Sequence, residues 1–365
     1  MALKCGIVGL PNVGKSTLFN ALTNAKALAA NYPFATKEPN VGMITVPDPR
    51  LEMLADLAKS EKLVPTTVEI LDIAGLIKGA SKGEGLGNQF LANIREVDAI
   101  LHVVRCFDDD NVVHVDGSID PVRDKEIVDT ELILKDLETV EKILDKARKQ
   151  AKTGGKEELA IVDFVQNLMS HLEGDVPART FEIPEAMEIF YRDMYLLTQK
   201  PIVYVCNVDE DSVIKGNAHV DIFKESVKLE NAEILLISAG IEADIAELET
   251  VEERLEFVEE MGLEEPGVNR LIQSSYKLLN LITYFTAGPK EARAWTIKEG
   301  TKAPEAAGEI HTDFEKGFIR AEVIPYDTFV EYGSEAAVKE AGKMGVEGKE
   351  YVVKDGDVMH FRFNV

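Results

Sequence analysis

Residues 9 to 16 read Gly-Leu-Pro-Asn-Val-Gly-Lys-Ser, a GxxxxGKS loop between the apolar run Cys5-Gly6-Ile7-Val8 and the helix-like run Thr17-Leu18-Phe19-Asn20-Ala21-Leu22. A strand feeding a glycine-rich turn leaves backbone N–H groups unpaired at a helix N-terminus, where they and the helix dipole favour a polyphosphate. The spacing predicts a phosphate cradle in which Lys15 reaches the β and γ phosphates and the Ser16 hydroxyl ligates Mg²⁺.

A second element, Asp72-Ile73-Ala74-Gly75, ends another apolar run. There a nucleotide hydrolase keeps the carboxylate of its outer magnesium shell and a glycine amide for the γ-phosphate. Thr36 follows the first helix at the distance of a threonine that joins the metal when a γ-phosphate is present; its other reading is an exposed loop residue. Leu76 stands where many GTPases carry a water-orienting glutamine, a task a leucine cannot perform. His114 has two readings: a side chain that swings to the γ-phosphate, aided by K⁺ near Asn12, or an exposed loop imidazole with no role. Lys15, Gly75 and His114 form the candidate catalytic set.

Asn207-Val208-Asp209-Glu210 lies where guanine-specific proteins carry Asn-Lys-x-Asp, with Val208 replacing the lysine and Glu210 the terminal aspartate. The aspartate of that element accepts from N1–H and the 2-amino group of guanine, and adenine offers neither donor. Loss of one such bond costs about 1 to 3 kcal/mol, so adenine is favoured while GTP stays open. Ser238-Ala239 is expected to close the base pocket through backbone groups.

These groups need a scaffold. Runs at Lys4 to Val8, Val68 to Asp72, Ala99 to Val104, Pro201 to Cys206 and Glu233 to Ser238 read as strands covered on both faces, an α/β doubly wound, mainly parallel sheet. Between Asp129 and Leu197 the alternation stops. Ile133, Leu137, Val140, Leu144 and Ala147, then Val162, Val165, Met169 and Leu172, give two amphipathic helices around Gly154-Gly155. Their stripes either pack on each other or form a groove for a partner. After Pro266-Gly267 and a helix to about Leu279, short strands at Arg293 to Ile297, Gly317 to Ile324, Tyr351 to Val353 and Val358 to Phe363 predict an α+β module large enough to fold alone. The domains are thus 1–128 with 198–279, 129–197, and 280–365.

The chain has 365 residues, 45% hydrophobic, with a net charge of −25. Between Asp209 and Glu265 the balance is −14, whereas residues 1–60 carry +2, which keeps the phosphate site out of the acidic field. An acidic chain does not coat nucleic acid, so DNA is not an expected partner and any RNA contact is a local patch. No apolar run reaches 18 residues and the first residues lack a secretory layout, which predicts a cytoplasmic protein without a membrane partner. Cys5, Cys106 and Cys206 sit in apolar runs and read as reduced core residues; His102 does likewise.

With residues 9–16, Asn-Tyr-Pro-Phe-Ala-Thr (31–36), Asp-Ile-Ala-Gly-Leu (72–76), the run from Gly79 to Ala99 and Ile-His-Thr-Asp-Phe-Glu-Lys-Gly-Phe-Ile-Arg-Ala-Glu-Val (310–323), the sequence closely resembles the YchF subfamily of Obg-like ATPases over nearly its whole length. The resemblance implies a Ras-like P-loop G domain, an inserted α-helical coiled-coil hairpin and a C-terminal β-grasp (TGS) domain. It also implies acceptance of ATP, a need for Mg²⁺ and association with ribosomes, the large subunit foremost. Carried over residue by residue, Asn12, Val13, Gly14, Lys15, Ser16 and Thr17 hold the phosphates, Ser16 and Thr36 serve the metal, and Asn207 with Val208 contacts the base. Asp209 departs from the types expected at its position, and Leu76 matches the family's apolar replacement of the catalytic glutamine.

The expectation is an ATP-hydrolysing, slow switch on the ribosome, with segments around Thr36 and Gly79 to Gly87 ordered by ATP. A GTP-specific enzyme and a non-catalytic adaptor stabilised by nucleotide are its rivals.

Overall fold

The computed structural model describes residues 4–24, 41–73, 86–109, 112, 114, 117–152 and 154–364. Thr36, Gly75, Leu76 and Gly79 to Gly85 lie outside them.

In chain order the first half contains β1 (Lys4–Val8), α1 (Lys15–Asn24), β2 (Val41–Thr45), α2 (Pro49–Ala58), β3 (Leu63–Val64), β4 (Thr67–Asp72), α3 (Leu86–Glu96), β5 (Ala99–Arg105), α4 (Pro121–Ala151), α5 (Lys156–Glu173) and the short α6 (Glu188–Arg192). Then come β6 (Ile202–Asn207), α7 (Ala218–Ser226), β7 (Glu233–Ile237), α8 (Ala239–Glu247), α9 (Val251–Glu260) and α10 (Gly267–Leu278). The first sheet has the order β2-β4-β1-β5-β6-β7. All its pairings are parallel except β2 on β4. Every residue of β5 and β6 is buried, because helices cover both faces. His102 is buried there, where desolvation pushes its imidazole down to about 4, and the three cysteines are buried and free.

The hairpin starts earlier than its hydrophobic period suggests. Asp120 caps α4 by accepting from the Arg123 N–H at 3.0 Å, and Pro121 supplies a preset first turn. The apolar stripes of α4 and α5 face each other, Ile133, Val140 and Leu144 packing with Val165, Leu168 and Leu172, so they form their own core rather than a groove. At its root, a buried charge cluster docks α4 on the sheet. Lys125 Nζ lies 2.7 Å from Asp129 and 2.6 Å from Glu230, Arg179 reaches both carboxylates, and the Tyr204 hydroxyl donates to Glu230 at 2.7 Å.

The C-terminal part comprises β8 (Leu281–Ala287), β9 (Ala292–Lys298), α11 (Ala303–Ile310), α12 (Thr312–Lys316), β10 (Phe318–Pro325), α13 (Tyr326–Tyr332), α14 (Glu335–Glu340), β11 (Gly345–Glu347) and β12 (Asp357–Phe363). Its strand order β11-β10-β12-β8-β9, with β8 and β12 parallel at the centre, is that of a β-grasp. Two expectations are corrected. Residues 351–353 form no strand: only an isolated bridge joins Val352 to Lys302. Nor is the module self-contained. β3 extends its sheet by pairing with β9, and Leu51, Leu54 and Ala55 of α2 lie in one core with Phe285, Ala294, Ile324, Phe329 and Val358. Arg50 adds an ion pair to Asp355 at 2.6 Å and stacks over Phe285.

Candidate functional site

The phosphate loop leaves β1 at the centre of its sheet, where β4 and β5 pass on either side, and turns into α1 at Lys15. Two glycines make this turn possible. A Cβ at Gly9 would lie 2.6 Å from the Val103 carbonyl oxygen of the neighbouring strand. Gly14 has φ +92°, and a Cβ there would collide with the Asn207 amide. Asn12 also adopts a left-handed backbone, φ +63°. Val13 is buried, whereas Ser16 and Thr17 are exposed on the first turn of α1. Both hydroxyls therefore stand at the positive end of the helix dipole. Lys15, only 8% exposed, points across to the end of β4, where its ammonium pairs with Asp72.

Asn207 ends β6 and joins the two halves of the site. Its Nδ2 donates to the Val13 carbonyl at 2.9 Å, and its Oδ1 accepts from the Ala239 N–H at 2.9 Å. The phosphate loop is thereby bound to the start of α8. Val208 is 2% exposed, and its N–H donates to Ile237 at 3.0 Å. Asp209 is exposed and accepts from the Ser212 N–H at 2.9 Å. Ser238 is buried and caps α8. The Ala239 N–H, donating to Asn207, is one of the two bonds by which that amide braces the site.

His114 is not an exposed loop imidazole. It is 7% exposed, with Nε2 at 2.8 Å from Asp124 Oδ2 in the first turn of α4. Arg123 holds the other oxygen of Asp124 at 3.0 Å. The loop before His114 is shaped by the fully buried Arg105. Its guanidinium donates to the carbonyls of Phe107, Asp109 and Val112 at 3.1, 3.2 and 2.8 Å and stacks over the Phe107 ring at 4.5 Å. Sequence reasoning missed Arg105 and Asp124. The signals were an arginine closing an apolar strand and an Asp-Pro helix start six residues beyond the histidine.

The carboxyl ends of β1, β4, β6 and β7 thus bring together Asn12 to Thr17, Asp72, Asn207, Val208, Ser238 and Ala239, where open α/β sheets bind ligands. Among the described residues, no cluster of three or more His, Cys, Asp or Glu could hold a metal.

The chain is 55% identical over 367 residues to the Ribosome-binding ATPase YchF of Bacillus subtilis (strain 168), with 100% of both chains covered. The chain belongs to the YchF family. The protein of the same description from Escherichia coli O157:H7 is 54% identical over 365 residues, again covering 100% of both chains. Two family models match: a 50S ribosome-binding GTPase over residues 4–162, and the C-terminal region of YchF GTPases, described as a protein of unknown function, over 281–364. Among solved structures, the YchF GTPase of Schizosaccharomyces pombe is 40% identical and superposes with a TM-score of 0.89, covering 99% of this chain and 97% of that one. No helix among the described residues is long and apolar enough to cross a membrane.

Proposed function

We propose that this chain is a ribosome-binding ATPase that hydrolyses ATP to ADP and phosphate as a slow switch, acting in the cytoplasm and docking chiefly on the large subunit. The ribosome reading is supported by the descriptions of the YchF relatives and of the GTPase model. The adenine reading is carried by one observation: Val208 is enclosed and short, so the element after Asn207 has no long stem to lie along a guanine.

Lys15 would exchange Asp72 for the β and γ oxygens of the incoming nucleotide, and Gly75 would contact the γ-phosphate. Asn12 to Thr17 would hold the phosphates, and Asn207, Val208, Ser238 and Ala239 would frame the base. The exposed Ser16 hydroxyl and the Asp72 carboxylate are oxygen donors of the kind Mg²⁺ takes, Ser16 with Thr36 as direct ligands and Asp72 in the outer shell. Bound there, Mg²⁺ would neutralise charge on the β and γ phosphates. His114 would orient the attacking water in place of the missing glutamine, with Asp124 fixing its tautomer.

Competition titration of ATP against GTP with Mg²⁺, and turnover with and without ribosomes in Na⁺ and in K⁺, test this. ATP binding at least equal to GTP is expected. A tenfold preference for GTP overturns the adenine assignment.

A further inference from the structure

The far end of the helical hairpin inverts the charge of the molecule. Residues 146–156 contain Lys146, Arg148, Lys149, Lys152 and Lys156 and no acidic residue, a local +5 that leaves −30 on the rest of a −25 chain. All five side chains are exposed. The ion pairs of α4 lie nearer its root, at Lys125–Asp129 and Lys135–Glu138; among the described residues these five cations have none. Helix α4 is 31 residues long, so its end stands about 45 Å from its first residue at the sheet.

Local helix chemistry explains only part of this charge. Arg148 and Lys149 occupy the last turn of α4, where cations complement the carbonyl end of the dipole. Lys156 stands at the first residue of α5, the end where the same dipole disfavours a cation. Residues 146–156 contain no apolar side chain larger than alanine, and Glu157 and Glu158 follow only in the first turn of α5. This stretch lacks the anchors that a membrane surface or the centre of a protein interface requires. Cationic, exposed and without an apolar wedge, this surface matches a polyanionic backbone, which such contacts grip without reading sequence.

We propose that the hairpin tip is an RNA phosphate-backbone contact, the part of the molecule that meets ribosomal RNA first. The proposal rests on the ribosome reading above. The −30 on the remainder repels RNA elsewhere and so orients the approach tip first.

The test uses the full chain with Lys146→Gln, Arg148→Gln, Lys149→Gln, Lys152→Gln and Lys156→Gln combined, and a second variant with the four lysines changed to Arg. Affinity is measured for ribosomes and for a protein-free RNA duplex across a salt series. The neutralised variant is expected to bind both at least tenfold more weakly. Its log–log salt slope should be shallower by roughly 0.7 to 0.9 per lost phosphate contact. Its ribosome-free ATP turnover should stay within twofold of the parent, and the arginine variant should bind like the parent. Unchanged duplex affinity and salt slope overturn the proposal. So does polyglutamate competing as well as RNA at equal charge, which makes the partner an acidic protein. If the parent ignores ribosomes yet loses duplex binding on neutralisation, the ribosome reading fails while the RNA contact stands.

Discussion

His114 Nε2 and Asp124 Oδ2 lie 2.8 Å apart in a buried contact that ties the loop after β5 to the first turn of the hairpin helix. If His114 orients water, Asp124 sets which ring nitrogen faces the nucleotide, because the carboxylate favours a proton on Nε2. Asp124→Asn should then lower kcat for ATP at least tenfold with KM within twofold. His114→Ala should lower it by about 10²-fold or more, and the double variant no further. A thermal melt separates this from simple damage: a purely structural pair would reduce Tm and leave kcat per folded molecule unchanged.

Asn207 holds two loops with one amide, and removing it should weaken both nucleotides alike. Asn207→Ala leaves the Val13 carbonyl and the Ala239 N–H without this partner. At about 1 to 3 kcal/mol for lost buried hydrogen bonds, ATP and GTP affinities should fall about tenfold or more, read by isothermal titration. A loss confined to one nucleotide would mean that Asn207 reads the base and does not brace the site.

Much of this site is legible in the sequence because its chemistry is local. The turn geometry of Gly9 and Gly14 is written in the loop itself, and the fully buried β5 and β6 announce themselves as continuous apolar runs. What stays hidden depends on distant partners. β2, Val-Gly-Met-Ile-Thr, is a glycine-interrupted edge strand whose antiparallel pairing to β4 has no local signature. The burial of His114 is decided by Asp124, one turn into a helix whose hydrophobic period becomes regular only later. The run at 351–353 has strand-like residues but finds a partner at one position only.

The largest surprise is also a stability prediction. Leu54 is fully buried in the core shared with β8, β10 and β12, more than 200 residues further along the chain. Leu54→Ala should therefore cost about 2 to 5 kcal/mol in urea unfolding, as a cavity in any packed core does. Deleting residues 280–365 should expose Leu51 and Leu54 and yield a protein that aggregates or melts well below the full chain. A stable, soluble truncation would show that α2 can cover itself.

The root of the hairpin predicts how the fold responds to acid. Burial pushes the Asp129 and Glu230 carboxyls up, but Arg179 and Lys125 outweigh it and hold both below their ordinary values of 3.8 and 4.5. Their stabilisation is therefore present above those values and lost as pH falls through the lower folded ones. His102, buried beside this cluster and facing Lys125 and Arg179 as well as both carboxylates, moves in the same direction for a different reason. Its imidazole is held down to about 4 from 6.5, so the fold favours it neutral. Below pH 6.5 the unfolded chain takes up a proton that the folded chain refuses, a loss approaching about 3 kcal/mol by pH 4. Stability from urea unfolding should be level from pH 8 to 7, decline from 6.5 and steepen below 4.5. His102→Phe should remove the first decline and keep the second, whereas Glu230→Gln should lower stability at pH 7 and soften the second. A His102→Phe curve parallel to the parent's between pH 6.5 and 4.5 would mean that this imidazole titrates freely in the folded protein.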